Sequence, residues 1–317
     1  MGQNKLENSS NYAYGTFLFK DGGYLPGILL IAHKLRQMSN TQIKLVCCHT
    51  GDIEDRVLEA ISLIYDVVQP VDYLRFGKNR VGRQTPLPFM FTRFRFLQLS
   101  KLFSKVLVFD ADMLPISTYE NLFELSTPAG VLNESKDNMK GVQKTDKKLE
   151  KWEWHEKYEP QYGHGKVIPK EITDKPLLQP ESNMGINGGL MLLKPSETDF
   201  DAFAEWCNKP EIETVIEKMS WPDMQAVTAF YSGKWTNIDA KYLGLYGYPN
   251  TASLSGIHFI GPKPWQWRAK GFAYRLNKYA DYRLWAEEYL KMCDQRPDLL
   301  RYKQLANLKE QIETNLS

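Results

Sequence analysis

Val106-Leu107-Val108-Phe109-Asp110-Ala111-Asp112-Met113-Leu114-Pro115 is the stretch on which the fold turns. Lys105 to Phe109 reads as a very apolar strand, and it emerges directly into two carboxylates one residue apart. On an extended backbone residues i and i+2 share a side, so Asp110 and Asp112 can aim two hard oxygen ligands at one Mg²⁺ or Mn²⁺. A divalent ion held there would neutralise a diphosphate leaving group. Asp-x-Asp alone also fits an exposed turn; the hydrophobic strand in front of it favours the metal.

Upstream, residues 14 to 19 form a short apolar run closed by Lys20-Asp21-Gly22-Gly23. From Tyr24 the apolar positions Leu25, Ile28, Leu29, Ala32 and Leu35 recur at helical spacing. Ile43 to Cys48 is a second strand, and Asp52 is placed to cap a helix running to Tyr65 with Val57, Leu58, Ile61 and Ile64 on one face. Val67 to Val71 is a third strand. Lys78 to Pro88 is a basic loop, and Thr92 to Leu102 a helix leading into the apolar strand. Strands separated by helices predict a parallel α/β sheet with its ligands at the strand C-terminal edge.

Between residues 134 and 182 periodicity fails: charges, Gly and Pro mix with Trp152, Trp154, Tyr158 and Tyr162. So long an aperiodic stretch predicts a functional insertion or a mobile lid, here read as an acceptor loop. Order resumes with a strand at Ile186 to Leu193, a helix opened by Ser196 with Asp199 three residues on, and another after Pro222. A strand at Ile257 to Ile260 follows. Beyond Phe272 the chain is a helical tail with Leu284, Trp285, Leu290 and Met292 on its apolar side. The predicted organisation is a disordered leader over 1–11, one catalytic domain over 12–270 and the tail over 271–317; a chain of 317 residues requires no second core.

Composition narrows the partners. Forty basic against 38 acidic residues leave a charge of +2, too little for a nucleic-acid footprint. The 8 Trp and 17 Tyr exceed what a small core needs and suit a groove that stacks on sugar rings or bases, with core filling accounting for part of them. Cys47 and Cys48 are adjacent on a strand and point to opposite faces, so they suit no structural disulfide. Four Cys so placed predict a reducing compartment. No signal peptide and no membrane-length apolar run is present, so the expected location is the cytoplasm. Gly2 meets one requirement for myristoylation, but Leu6 stands where Ser or Thr is needed. A homodimer stays open.

Three further motifs carry chemistry. In Ile257-His258-Phe259-Ile260-Gly261-Pro262-Lys263 a strand-end His supplies a nitrogen ligand, Gly261 permits close backbone approach, and Lys263 puts a point charge on a phosphate. In Ile186-Asn187-Gly188-Gly189 glycines beside a strand let a ligand approach and Asn187 can both donate and accept, with a β-bulge as the competing explanation of the glycines. Trp221-Pro222-Asp223-Met224-Gln225 puts a carboxylate and an amide in the first turn of a helix, where capping competes as the explanation of Asp223.

These four motifs, in this order, resemble the glycogenin-like glycosyltransferase family 8, retaining enzymes of GT-A fold; the likeness runs from about Tyr14 to Trp267. The resemblance implies a metal, Mn²⁺ or Mg²⁺, on Asp110, Asp112 and His258, with a UDP-sugar as donor. It implies a uridine loop over Leu18 to Tyr24, including Lys20, with Tyr24 stacking on the base. Donor contacts would come from Arg93, Ala111, Asn187, Gly188 and Gly189, diphosphate contacts from Gly261 and Lys263, and sugar orientation at the reacting carbon from Asp223, Gln225 and Asn187. The reaction implied is transfer of a hexose, glucose or galactose favoured, to a hydroxyl of a glycan or protein.

The sequence departs from the family in three places: Met224 separates Asp223 from Gln225, the interval from the Asp-x-Asp to Asn187 is longer than in glycogenin itself, and no tyrosine among Tyr242, Tyr246 and Tyr248 matches its self-glucosylated one. Glycogen priming is therefore not inferred. Two rival readings are a transferase-like module that only binds glycan or protein, and a haloacid-dehalogenase-type phosphatase. The latter wants Thr or Val two residues after the second Asp, where Leu114 stands.

Overall fold

The computed structural model describes residues 11–77, 87–133, 162–182, 184–246, 254–266 and 272–316. A seven-stranded sheet runs in the order β3-β2-β1-β4-β7-β6-β8, from β1 (Tyr12–Leu18), β2 (Lys44–His49), β3 (Val67–Pro70), β4 (Lys105–Phe109), β6 (Ala129–Leu132), β7 (Ile186–Leu193) and β8 (Thr236–Asn237). β1 pairs in parallel with both β2 and β4, and β2 with β3. β7 is antiparallel to β4 and to β6. A second sheet joins β5 (Met113–Pro115), β10 (Gly256–His258) and β9 (Gly244–Leu245). This is a mixed α/β architecture, a mostly parallel sheet flanked by helices.

The apolar strands are buried on both faces, which is why they read as runs rather than alternations. Tyr14, Leu45, Cys47, Leu107 and Phe109 enter one core; Phe17, Val46, Cys48, Val106 and Val108 enter the other. Cys47 and Cys48 thus do point to opposite faces, and the described cysteines are buried free thiols. The first core takes helices α1 (Leu25–Met38) and α2 (Asp55–Ser62). The C-terminal helices α8 (Phe272–Lys278), α9 (Ala280–Gln295) and α10 (Lys303–Leu316) follow in the chain. Trp285, Tyr289, Met292, Leu305 and Ile312 lie in that same core, and His33 of α1 meets Gln295 of α9 at 3.0 Å. The predicted helical tail is therefore part of the main packing.

The second core collects Phe91, Phe94, Phe96 and Phe203. The first three come from tight 3₁₀-type turns over Leu87–Gln98, not from the helix expected at Thr92 to Leu102. Between Phe91 and Leu97 only Arg95 escapes full burial, so this element has core on nearly every side and lacks a one-sided helical pattern.

Three other expectations need correction. Asp52 does not cap α2: its carboxylate accepts from Thr50 Oγ1 at 2.5 Å and Tyr73 Oη at 2.6 Å, and the helix starts later, at Asp55. The strand expected at Ile257 to Ile260 is shorter, runs from Gly256 to His258 and belongs to the second sheet. The supposedly aperiodic region has structure in its second half. Pro169 and Pro176 help open short helices α3 (Lys170–Thr173) and α4 (Lys175–Leu178), Val167 bridges to Thr236, and Tyr162 is half-buried against the core. Residues 134–161, with Trp152, Trp154 and Tyr158, lie outside the described residues, as do the leader over 1–10 and most of the basic loop. Three helices complete the elements: α5 (Glu197–Cys207), where Ser196 Oγ accepts from Asp199 N at 3.1 Å as its pattern predicts, α6 (Pro210–Ile216) and α7 (Pro222–Phe230). No helix among the described residues is long and apolar enough to cross a membrane.

From β1 the chain winds outward to β2 and β3, then returns to place β4 on the other side of β1. The order of strands reverses there, and such a switch point opens a crevice beyond the strand C-termini. The residues at that edge are Leu18 to Asp21 after β1 and Asp110 to Asp112 after β4.

Candidate active site

Asp110 leaves β4 and remains tied to the sheet through its N–H, which donates to Gly189 O at 3.0 Å. Asp112 is buried, and its carbonyl accepts from Phe259 N at 2.9 Å. The small sheet then puts His258 opposite Met113. His258 Nε2 lies 3.2 Å from Asp112 Oδ1 and 3.7 Å from Asp110 Oδ2. One ligand atom from each of Asp110, Asp112 and His258 falls within 4.8 Å of the others. Neighbouring ligands of an octahedral ion at about 2.1 Å stand roughly 3 Å apart, so two hard oxygens and an imidazole at these separations fit a divalent cation. His258 Nδ1 is buried without a hydrogen bond, leaving Nε2 as the nitrogen facing the carboxylates. The two glycines of β7 make room for this: a Cβ at Gly189 would fall 2.6 Å from His258 Cε1, and one at Gly188 2.3 Å from Arg93 Nη1.

Arg93 is the charged centre behind the carboxylates. It is 2% exposed, its Nη1 donates to Gly188 O at 2.6 Å and lies 3.1 Å from Asp110 Oδ1, and its Nε lies 3.2 Å from Asp223 Oδ2. The two carboxylate contacts are ion pairs without aligned hydrogen bonds. Phe17 closes one face of the guanidinium, its ring centroid 4.9 Å from Cζ. Asp223 therefore serves this pair and makes no cap; α7 has no side-chain cap.

On the other flank Lys263 Nζ reaches Asp112 Oδ2 at 2.5 Å and Phe259 O at 2.8 Å. The carboxylates consequently diverge. Burial, with the neighbouring Asp112 charge, pushes the Asp110 carboxyl up to about 6 against the pull of Arg93. Burial also opposes ionisation of Asp112, yet His258 and Lys263 hold it well below the usual carboxylate range. A raised carboxyl loses its charge as pH falls through its own value, and a carboxyl group ligates a metal in its ionised form. Mn²⁺ affinity of the nucleotide-free protein is accordingly expected to fall by roughly tenfold per pH unit below about pH 6 and to level off above it, measured by titration calorimetry.

The other predicted residues distribute unevenly. Leu18 is buried at the end of β1. Tyr24 is half-buried edge-on against Trp265 and close enough for Asp112 and Asp110 to join burial in raising its hydroxyl. Lys20 adopts a left-handed backbone, φ 71°, and its ammonium lies over the Phe89 ring, 5.3 Å from the centroid. Ala111 is buried between the two carboxylates, and Gly261 abuts the Tyr246 hydroxyl. Asn187 is buried and its Oδ1 accepts from Gly189 N at 2.9 Å. Gln225 does not join the cluster: its amide donates to Pro180 O and Ser182 O, both at 3.0 Å, and its Oε1 accepts from Trp221 N at 2.7 Å. Met224 is the neighbour that approaches Gly188 instead.

No family model matches the sequence. An uncharacterised protein, R707, of Acanthamoeba polyphaga mimivirus is 26% identical over 266 residues, 81% of this chain and 83% of that one. A glycogenin of Neurospora crassa is 32% identical over 115 residues, 35% of this chain and 16% of that one. Among solved structures, the galactosyltransferase LgtC in complex with donor and acceptor sugar analogues superposes with a TM-score of 0.51 at 13% identity, covering 86% of this chain and 99% of that one. The bifunctional glycosyltransferase WbbM gives 0.53 at 14%, covering 98% of this chain and 52% of that one. These likenesses show the GT-A fold, and with it the haloacid-dehalogenase alternative falls away.

Proposed function

We propose that this chain is a metal-dependent retaining glycosyltransferase, moving a hexose from a UDP-sugar to a hydroxyl of a glycan or protein acceptor. The observation that carries the reading is the convergence of Asp110, Asp112 and His258 at the sheet's switch point, backed by the Arg93 to Asp223 pair. In this reading residues 12–270 form the catalytic unit, packed against the helices of 271–317. Four thiols kept free and buried support a cytoplasmic setting.

Asp110, Asp112 and His258 would hold Mn²⁺ or Mg²⁺, which when bound supplies charge neutralisation for a diphosphate leaving group. Lys263 has a flexible stem and sits beside that position, so its ammonium is placed to leave Asp112 and follow the diphosphate as charge develops. Arg93 holds Gly188 and Asp223 in fixed relation, which sets the floor on which a sugar would lie. Asn187 stiffens the same floor through Gly189 N. None of these side chains is an evident covalent nucleophile; Asp223 is held by Arg93, and same-face attack assisted by the leaving phosphate suits the arrangement better.

A panel of UDP-sugars incubated with Mn²⁺, read by release of UDP, tests the proposal. Hydrolysis of one or more donors is expected, abolished by chelation. Tight metal-dependent UDP binding without any turnover or transfer would favour a binding module instead. Within the panel, Lys263→Ala is expected to slow release of UDP by well over tenfold, and Lys263→Arg to recover only part, since a planar guanidinium reaches a phosphate differently. Near-normal turnover in Lys263→Ala would leave Gly261 to Trp265 a structural segment.

A further inference from the structure

Met224 stands inside the candidate site with no charge and no donor to use there. On α7 it separates Asp223 from Gln225, both buried to within 1% exposure, while its own side chain is only half-buried. Gly188 N donates towards its sulfur, N to Sδ 2.9 Å, and a Cβ on Gly188 would fall 3.0 Å from Met224 Cγ. The Gly188 carbonyl is taken by Arg93. Both backbone groups of Gly188 are thus satisfied inside the protein, and the thioether covers this part of β7.

We infer that Met224 is a specificity-determining residue for the donor sugar. A thioether is a weak acceptor, polarisable and flexible, and gives a sugar ring a soft apolar contact between the polar Asp223 and Asn187. A ring that lays a C–H face on it loses nothing. A ring that presents a hydroxyl there must desolvate that hydroxyl without a replacement partner. The donor favoured is therefore a hexose whose hydroxyls point away from β7 and α7, and two epimers differing at one hydroxyl are separated by this contact. The inference rests on the proposed donor site.

Calorimetric titration with UDP, UDP-glucose and UDP-galactose, all with Mn²⁺, tests it on the full chain carrying Met224→Gln, Met224→Leu or no change. The Kd for UDP is expected to stay within about twofold in both variants. Met224→Leu should keep the ratio of the two UDP-sugar Kd values, and Met224→Gln should move that ratio by about tenfold, because an amide supplies the missing partner. An unmoved ratio in Met224→Gln with UDP binding intact overturns the inference while sparing the donor site. A parallel shift of all three ligands also overturns it, since that is what a merely structural role produces. Failure of the unaltered protein to bind UDP at all would sink the donor-site reading and the inference with it.

Discussion

Asp112→Asn is expected to weaken Mn²⁺-dependent UDP binding by roughly 100-fold or more and to abolish sugar transfer, because it removes an anionic oxygen from a divalent ion that depends on few others. Asp112 is also the carboxylate on which His258, at 3.2 Å, and Lys263, at 2.5 Å, converge. With an amide there, the Lys263 ammonium faces a neutral group, and its uncompensated charge further repels a metal. The fold should survive: Lys263 keeps Phe259 O as an acceptor, and the Asp112 carbonyl still binds Phe259 N. Asp110→Asn should impair metal binding similarly and spare the fold, since Arg93 retains Asp223 and Gly188 O. Calorimetry with UDP, with and without Mn²⁺, measures both. Metal-dependent binding unchanged in the two variants would falsify the metal-site reading.

The parallel half of the sheet was legible because burial on both faces writes itself into the chain as unbroken apolar runs. Tyr14 to Phe19, Ile43 to Cys48 and Lys105 to Phe109 all lie on observed strands, each within a residue or two at its ends. The strand C-terminal edge, where Asp110 and Asp112 stand beside the reversal of strand order, followed from the same pattern. What failed was local chemistry with a distant partner. Asp52 looks like a cap until Tyr73 arrives to occupy its carboxylate, and nothing near Asp52 announces Tyr73. The Phe-rich stretch around Arg93 carries no one-sided period, since almost every side chain in it is buried. Residues 162–182 looked structureless because their order comes from contacts such as Thr173 with Ser232 and Val167 with Thr236, not from local periodicity.

The site was legible in its ligands and less so in its supports. Asp110 and Asp112 share a side by strand geometry and His258 and Lys263 come from one strand end, but the joining of the two pairs was implied by the resemblance, and it is the fold that brings them together. Asp223 and Gln225 were paired by resemblance, yet two residues on a helix are about 200° apart around the axis. Asp223 faces Arg93 while Gln225 faces the backbone of 180–182, which is what that rotation requires. Met224 carried no signal beyond interrupting the pair; its role depends on Gly188, which only the fold brings to it.

Arg93→Met should be the most destabilising change in this site, costing about 3–5 kcal/mol and lowering the melting temperature by roughly 10 °C. The reason is what it leaves behind. Arg93 is 2% exposed and neutralises two carboxylates from different elements, Asp110 after β4 and Asp223 on α7, while fixing Gly188 O on β7. Methionine matches its stem against Phe17 but supplies no charge, so the Asp223 carboxylate, whose side chain is 2% exposed, remains without a counter-charge. The loss of the pair itself is a small part of the cost, because two buried ions regain little beyond their desolvation; the orphaned carboxylate is the large part. That distinction is measurable. Adding Asp223→Asn to Arg93→Met removes the orphan and is expected to restore at least half of the lost stability in thermal or denaturant melts, although Asp223→Asn alone destabilises. Purely additive losses in the double variant would show instead that Arg93 stabilises through packing on Phe17 and its bond to Gly188, with the carboxylates as bystanders.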